Sequence, residues 1–409
     1  MPRSLSFAKV PPLASIAFFI AIWAALYAPL LNFSVSDFNG FVKPWLDYIR
    51  SHGGFSALSD PFSEYAPPYL YLLATATYLH IPVSDQALVK LINIPFVLLI
   101  SFSIFAICRH FGMTVNSATG AAAGILILPT VGINAFVWGQ ADTIYASLLL
   151  LTVLLVLKLR PYWAIAIFTL AISTKLQAIF LGPFILFMIF AGRIPWRSVI
   201  VAPPVYAATL LPAALIGRPL GQLLTIYLVQ GRYYNTLSMN APNFYFFLDF
   251  FGGASKNWQL YKKITMAGLA VASLAGALIA LLGWGRRNVS DRAILLAATV
   301  SMTVMPYVLP KMHDRFFFGA DVFSYALACV APQFIWAAVA MQASSLLSYA
   351  PEFSLYVLPG NGESWKWAVV LGAVINTVVV VCLSRSLWRE LAPAGAASDS
   401  ALGQPASTT

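Results

Sequence analysis

The sequence predicts an all-α fold, a polytopic membrane protein of about twelve transmembrane helices, and three observations carry that expectation. Sixty per cent of the residues are hydrophobic and only 9% charged, the mean hydropathy is +0.80, and apolar runs recur along nearly the whole chain. Soluble domains carry about 25% charged residues. A spanning helix needs about 20 mostly apolar residues, and the alternation that marks a membrane β-barrel is absent. One transmembrane domain is expected over residues 1–390. Residues 391–409, rich in Ala, Ser, Gly and Pro, are expected as a disordered cytoplasmic tail.

The first apolar run, Leu13 to Leu31, follows Arg3 and Lys9 and lacks a small-residue cleavage site. It is expected as a retained helix with its N-terminus in the cytoplasm. Residues 37–85, rich in Pro, Gly and aromatics, then form a first outer loop. Within it, Tyr69 to Leu79 follows Pro67-Pro68 and is too short to cross, so helices are expected to lie along the membrane surface there. Further spans are expected at Leu88–Cys108, Thr119–Phe136, Tyr145–Leu157, Trp163–Ile172, Ile179–Ala191 and Ile200–Ile216. A second outer segment, Arg218 to Lys263, precedes Ile264–Leu282, Ile294–Val308, Phe316–Val330, Phe334–Leu347 and Trp367–Leu383. The basic pairs Arg109/His110, Lys158/Arg160 and Arg193/Arg197 fall at every second junction, where the positive-inside rule puts cytoplasmic ends. On that register only Asp291, Glu390 and Asp399 among the 14 acidic residues are inside, which places the chemistry on the outer face.

Composition also limits the partners. The formal net charge of +10 suits anionic lipid, and no basic cluster is long enough for nucleic acid. Cys108, Cys329 and Cys382 lie in apolar runs without metal spacing and read as packing residues.

Five stretches carry polar chemistry at expected outer helix ends. Asp37, in Val35-Ser36-Asp37-Phe38-Asn39-Gly40, stands where the first span meets water. A carboxylate there is a candidate base, or else a helix cap. Trp138-Gly139-Gln140-Ala141-Asp142 sets an indole, an amide and a carboxylate within five residues, groups that suit a sugar's ring face and hydroxyls. Trp138 alone also fits an interfacial belt, and Asp142 is a second candidate base. Lys175 interrupts an apolar hairpin, either to bind phosphate or to snorkel to headgroups. In the second outer segment Arg232 precedes Asn240 and Asn243, two amides around a proline turn that turn formation would also explain. The densest cluster is Lys311-Met312-His313-Asp314-Arg315. Lys311 and Arg315 suit a phosphate, His313 a phosphate contact or a proton shuttle, and Asp314 with Asp321 would hold Arg315 in place.

Taken in order, these stretches resemble the GT-C class of membrane glycosyltransferases, in particular bacterial relatives of the glycosylphosphatidylinositol mannosyltransferases. The resemblance covers about residues 13 to 325. It rests on Ser36-Asp37-Phe38, Trp138 to Asp142, Lys175-Leu176-Gln177-Ala178, Ser238 to Asn243 and Leu309 to Phe316. It implies a polyprenyl-phosphate sugar donor, an acidic base that carries over to Asp37, and an active-site stretch that carries over to His313, Asp314 and Arg315. Two departures stand out. The family usually has Glu-Arg-Tyr where this chain has Asp314-Arg315-Phe316, and commonly Lys-Pro-Gln where it has Lys175-Leu176-Gln177.

The expected reaction is transfer of a sugar, mannose or another hexose, to a lipid or glycan hydroxyl at the outer face. Asp37 takes the proton, and Arg315, Lys311, Arg232, Lys175 and His313 meet the leaving phosphate. Inversion is expected, with neither metal nor cofactor. The expected location is a bacterial inner membrane with the site facing the periplasm. A transporter or flippase of lipid-linked sugar is the alternative, although the charges gather at helix ends and no internal repeat stands out. A non-catalytic subunit that binds a lipid-linked sugar is the other.

Overall fold

The computed structural model describes residues 12–231 and 234–392. Arg3, Lys9 and Arg232 lie outside the described residues, as does the expected tail beyond Ala392. The described chain is nearly all helix. Its one strand pairing sets Ser238–Met239 parallel to Met312–His313, with Met239 opposite His313. Helix starts fall where the sequence supplies caps. The side chains of Ser84, Thr114, Asn243, Asn257 and Ser290 each accept a backbone N–H from the first turn that follows, which otherwise has no acceptor.

Among the described residues four helices are long and apolar enough to cross a membrane: Asp85–His110, Trp196–Leu215, Trp258–Leu281 and Lys366–Leu391. A fifth is added if Val115–Ile127 and Pro129–Trp138, bent by 53°, form one span. The bend has a local cause. Pro129 lacks an N–H, and Leu128 before it is extended at ψ 124°, as a residue preceding proline prefers.

Other expected spans fold as shorter apolar helices, among them Asp142–Leu157, Pro161–Thr174 and Leu176–Phe190. Asp142–Leu157 has 16 residues, a length of about 24 Å against an apolar bilayer core of about 30 Å. Almost every one of its side chains is buried, as are those of Asp291–Val308. These two helices are apolar on all sides because protein surrounds them. The peripheral helices instead turn large apolar side chains outward, Leu215 being 76% and Met266 67% exposed.

The stretch expected as a first outer loop differs from expectation in one respect. Helix Lys43–Ser51 is amphipathic, burying Trp45, Leu46 and Ile49 while Lys43 and Asp47 pair at 2.8 Å on its open face. Helix Pro67–Tyr78, expected to lie along the surface, is packed inside the bundle: Tyr69, Leu70, Leu73 and Ala74 are buried against its neighbours. The two prolines start it cleanly, and its apolar side chains gain more from protein contact on several sides than from an interface on one.

Charge closes the two ends of the bundle differently. At one end Asp291 holds His110 at 2.7 Å and Arg193 at 3.1 Å, and Glu390 holds Arg292 through two contacts. The other end carries the polar stretches singled out above.

Tight helix contacts rest on small residues. A Cβ at Gly283, which is buried, would stand 2.2 Å from the Phe187 carbonyl oxygen. That oxygen is backbone and cannot swing aside. Gly283→Ala is therefore expected to cost about 1–3 kcal/mol, read as a lower unfolding temperature of the purified protein in detergent.

Candidate functional site

A cavity of about 530 Å³ opens at the end opposite Asp291, within the roughly 300–1,000 Å³ of small-molecule sites. Asp37, Gln140, Lys175, Lys311, His313 and Arg315 all line it. Residues from distant parts of the chain thus meet around one cavity.

Breaks in regular helix deliver each of them. The chain leaves the first helix and enters a π-turn over Phe38–Val42; Asp37 precedes this turn without capping it. Its loop is fastened by Ser36, whose N–H donates to the Tyr356 hydroxyl and whose hydroxyl donates to Glu352, each at 2.5 Å. A second π-turn, Ile133–Trp138, ends at Gly139 with φ +76°. Glycine adopts that left-handed conformation without strain, and the reversal brings Gln140 to Asp37. The Pro161–Thr174 helix stops at Lys175, which is extended at φ −154°. Lys311, at φ +65°, takes the same left-handed conformation as Gly139 at a cost of about 1–2 kcal/mol. Its backbone N–H donates to the Leu237 carbonyl at 2.7 Å, beside the strand pairing that fixes His313.

Arg315 is the electrostatic centre. Its guanidinium lies 3.1 Å from Asp37, 3.7 Å from Asp314 and 4.0 Å from Asp142, and 5.5 Å over the Trp138 ring. Asp37, whose side chain is 27% exposed, also accepts a hydrogen bond from the Gln140 amide at 2.8 Å. Asp142 is wholly buried and lies behind the cavity wall. It accepts from Lys175 and, at 2.9 Å, from Asn134. Lys175 is therefore committed to a buried ion pair, and the snorkelling alternative does not describe it.

Lys311 differs. Its ammonium donates to the Gly231 carbonyl at 2.6 Å and stands 5.9 Å from the Tyr261 ring, with no carboxylate paired to it among the described residues. His313 sits edge-on to Tyr234 and against Phe316. Burial, with the positive charges of Arg315 and Lys175 nearby, holds its imidazole well below the usual histidine range, so it is neutral near pH 7. Burial also pushes the Asp314 carboxyl up to about 7, against the opposing pull of Arg315.

Several predicted residues have other tasks. Trp138 is buried beneath Arg315, its ring edge-on to Tyr349 and Phe353, neither in an interfacial belt nor on the cavity wall. Asn243 caps helix Phe244–Gly252 through its side-chain oxygen and gives its amide to the carbonyls of Pro306 and Leu309. Asn240, at φ +56°, bridges His313 through the backbone. For both asparagines the turn reading describes what they do. Asp321 is buried with Ser345, 2.9 Å from its hydroxyl, and does not pair with Arg315, so Asp314 and the two distant carboxylates hold the guanidinium instead.

The cavity also includes Glu64, Tyr65, Gln177 and Gln230, which were not singled out individually. Gln177 stands in the quoted Lys175-Leu176-Gln177 stretch, a signal that could have found it. Tyr65 and Glu64 precede a Pro-Pro helix start in a stretch of mixed composition, which gave no such signal. Among the described residues no three His, Cys, Asp or Glu side chains cluster as metal ligands.

The buried pairing predicts a paired set of variants. Lys175→Met strands the Asp142 charge and is expected to cost about 3–5 kcal/mol, whereas Lys175→Met with Asp142→Asn regains most of it; unfolding of the single and double variants measures both. Asp314 predicts a pH dependence. Its folded-state pKa lies above that of an unfolded Asp, so the stabilisation it gives is complete below about pH 4 and is lost as pH rises through about 7. The difference in unfolding temperature between Asp314→Asn and wild type should therefore move in the variant's favour from pH 4 to 8.

No protein-family model matches this chain, and no curated protein matches it, so the functional reading rests on the side chains described here.

Proposed function

We propose that this chain is a membrane glycosyltransferase resembling the GT-C class, which moves a hexose from a polyprenyl phosphate to a lipid or glycan hydroxyl. The observation that carries the reading is Asp37: a partly open carboxylate at a cavity wall, oriented by Gln140 and Arg315, with, in the same cavity, a cation, Lys311, that pairs with no carboxylate among the described residues. The proposal includes about twelve helices across a bacterial inner membrane, with the cavity facing the periplasm.

In this mechanism the acceptor oxygen forms a bond to the anomeric carbon as the bond from that carbon to the phosphate oxygen breaks. The electron pair leaves with the polyprenyl phosphate, and the acceptor proton passes to Asp37. A carboxylate is too weak a base to ionise a free sugar hydroxyl, but the hydroxyl becomes acidic as its oxygen bonds to carbon, so transfer within that step suffices. Charge developing on the phosphate falls to Arg315 and Lys311, with a neutral His313 as a further N–H donor. Lys175, tied to Asp142, keeps the floor of the site neutral and fixed. Because Asp37 activates the acceptor directly, inversion follows.

Asp37→Asn keeps the shape of the side chain and removes the base. Release of sugar from a panel of polyprenyl-phosphate donors, with a membrane lipid extract as acceptor source, should fall by about 10²–10⁴-fold relative to wild type, while donor binding persists. Release at the wild-type rate by the folded variant would sink the proposal. Binding of one donor by both proteins with no release, together with flux in liposomes, would replace the transferase by a transporter.

A further inference from the structure

Arg218 takes no part in the reaction proposed above, and the following inference stands apart from it. The residue lies in the turn between helices Ala202–Leu215 and Leu220–Gln230. It is 4% exposed, and its side-chain Nε and Nη1 are buried without a hydrogen-bond partner. Among the described residues no carboxylate forms an ion pair with it. Tyr71 is close enough to act on it electrostatically, but the Tyr71 hydroxyl is committed elsewhere. It donates to the Thr209 carbonyl at 3.1 Å and accepts from the Ala213 N–H at 3.0 Å, splicing into the helix beside Pro212. Leu210, Ala213 and Leu223 pack at this turn, with Tyr71 and Tyr206 against them.

An uncompensated buried guanidinium costs several kcal/mol. A snorkelling arginine avoids that cost by keeping its head in water, whereas Arg218 keeps two of its three guanidinium nitrogens out of it. The missing counter-charge must come from outside the described chain, and the position says what kind. Trp196–Leu215 is one of the four helices able to cross a membrane. It starts just after Arg193, at the Asp291 end, so Arg218 lies at the cavity end, near a bilayer surface. Leu211, Leu215, Leu220 and Leu224 around the turn are exposed, as on a helix pair that faces lipid. The following helix has 11 residues, and its Leu220 and Gly221 amides have no acceptor within the helix. The space beside Gly221 is open. Backbone N–H groups without an acceptor in their helix and a guanidinium are both groups that suit phosphate oxygens.

We infer that the Arg218 turn is a second anion site, taking a phosphate group at the membrane boundary, either that of an anionic lipid headgroup or a free phosphate. Wild type purified in a zwitterionic detergent should gain at least about 2 °C in unfolding temperature on addition of phosphatidylglycerol, and nothing from phosphatidylcholine. An equal gain from inorganic phosphate would make free phosphate a sufficient ligand; a gain from phosphatidylglycerol alone would assign the site to lipid. Arg218→Met should lose the gain and, without any anion, unfold at the wild-type temperature or higher, because an unpaired buried charge has been removed. Lys263→Gln, at an exposed cation in helix Trp258–Leu281, should keep the gain. The inference fails if neither anion stabilises wild type, if Arg218→Met keeps the gain, or if that variant without anion is less stable than wild type.

Discussion

The carboxylates at the cavity depend on one partly buried cation. Arg315 sits among three carboxylates and over an indole, and without it Asp37, Asp314 and Asp142 would face one another in a poorly solvated space. Like charges that close raise one another's proton affinity and destabilise the folded state. The arrangement is asymmetric. Asp142 has Lys175 and Asn134 as well, so it is held from two sides, whereas Asp37 is held by Arg315 and by one neutral amide and stays open to the cavity. Two aspartates of the same chemistry thus have different tasks, one as fixed counter-ion and the other as an accessible oxygen.

Breaks in helical regularity cluster at this site. Two π-turns, a left-handed glycine, an extended lysine, a left-handed lysine and the short strand pairing all deliver side chains to the same cavity. Inside an apolar environment, backbone groups freed by such breaks must find partners, so irregular chain is tolerated only where protein or a wetted cavity meets it. The Leu237 carbonyl on the Lys311 N–H and the Asn243 side chain on the carbonyls of Pro306 and Leu309 supply those partners here. Asn243 is therefore as necessary to the site as the residues that line it, although it touches nothing in the cavity.

That division explains how much could be read from the sequence. Composition was enough for a nearly all-helical chain with several helices apolar enough to cross a membrane, and the cluster from Lys311 to Arg315 was legible because its charges are adjacent in the chain. Pairing was not legible: nothing local to Lys175 names Asp142 as its partner, and nothing local to Arg315 names Asp37. Hydropathy was ambiguous for a related reason. It reports that a segment avoids water without saying whether lipid or protein replaces the water, so Tyr145–Leu157 reads as a span from composition alone, and only the structure shows that protein surrounds it. The same ambiguity hid Trp138, whose position at a helix end fits a membrane belt until Arg315, far along the chain, is placed above it.

Charge at the cavity bears on the choice between moving a ligand and reacting with it. A transporter must let its site face one side and then the other, which requires the groups around the ligand to change partners at small cost. Here the pairs are cross-linked: Lys175 to Asp142, Asp142 to Arg315, Arg315 to Asp37, and the Asp37 loop through Ser36 to Glu352 and Tyr356. Opening the floor would separate buried opposite charges, each separation costing kilocalories with no water to offset it. A rigid constellation suits a reaction, where groups aimed in advance at developing charge need no reorganisation when that charge appears. Lys311 is the exception that such a reaction would require, a cation held by a backbone carbonyl and, among the described residues, by no carboxylate.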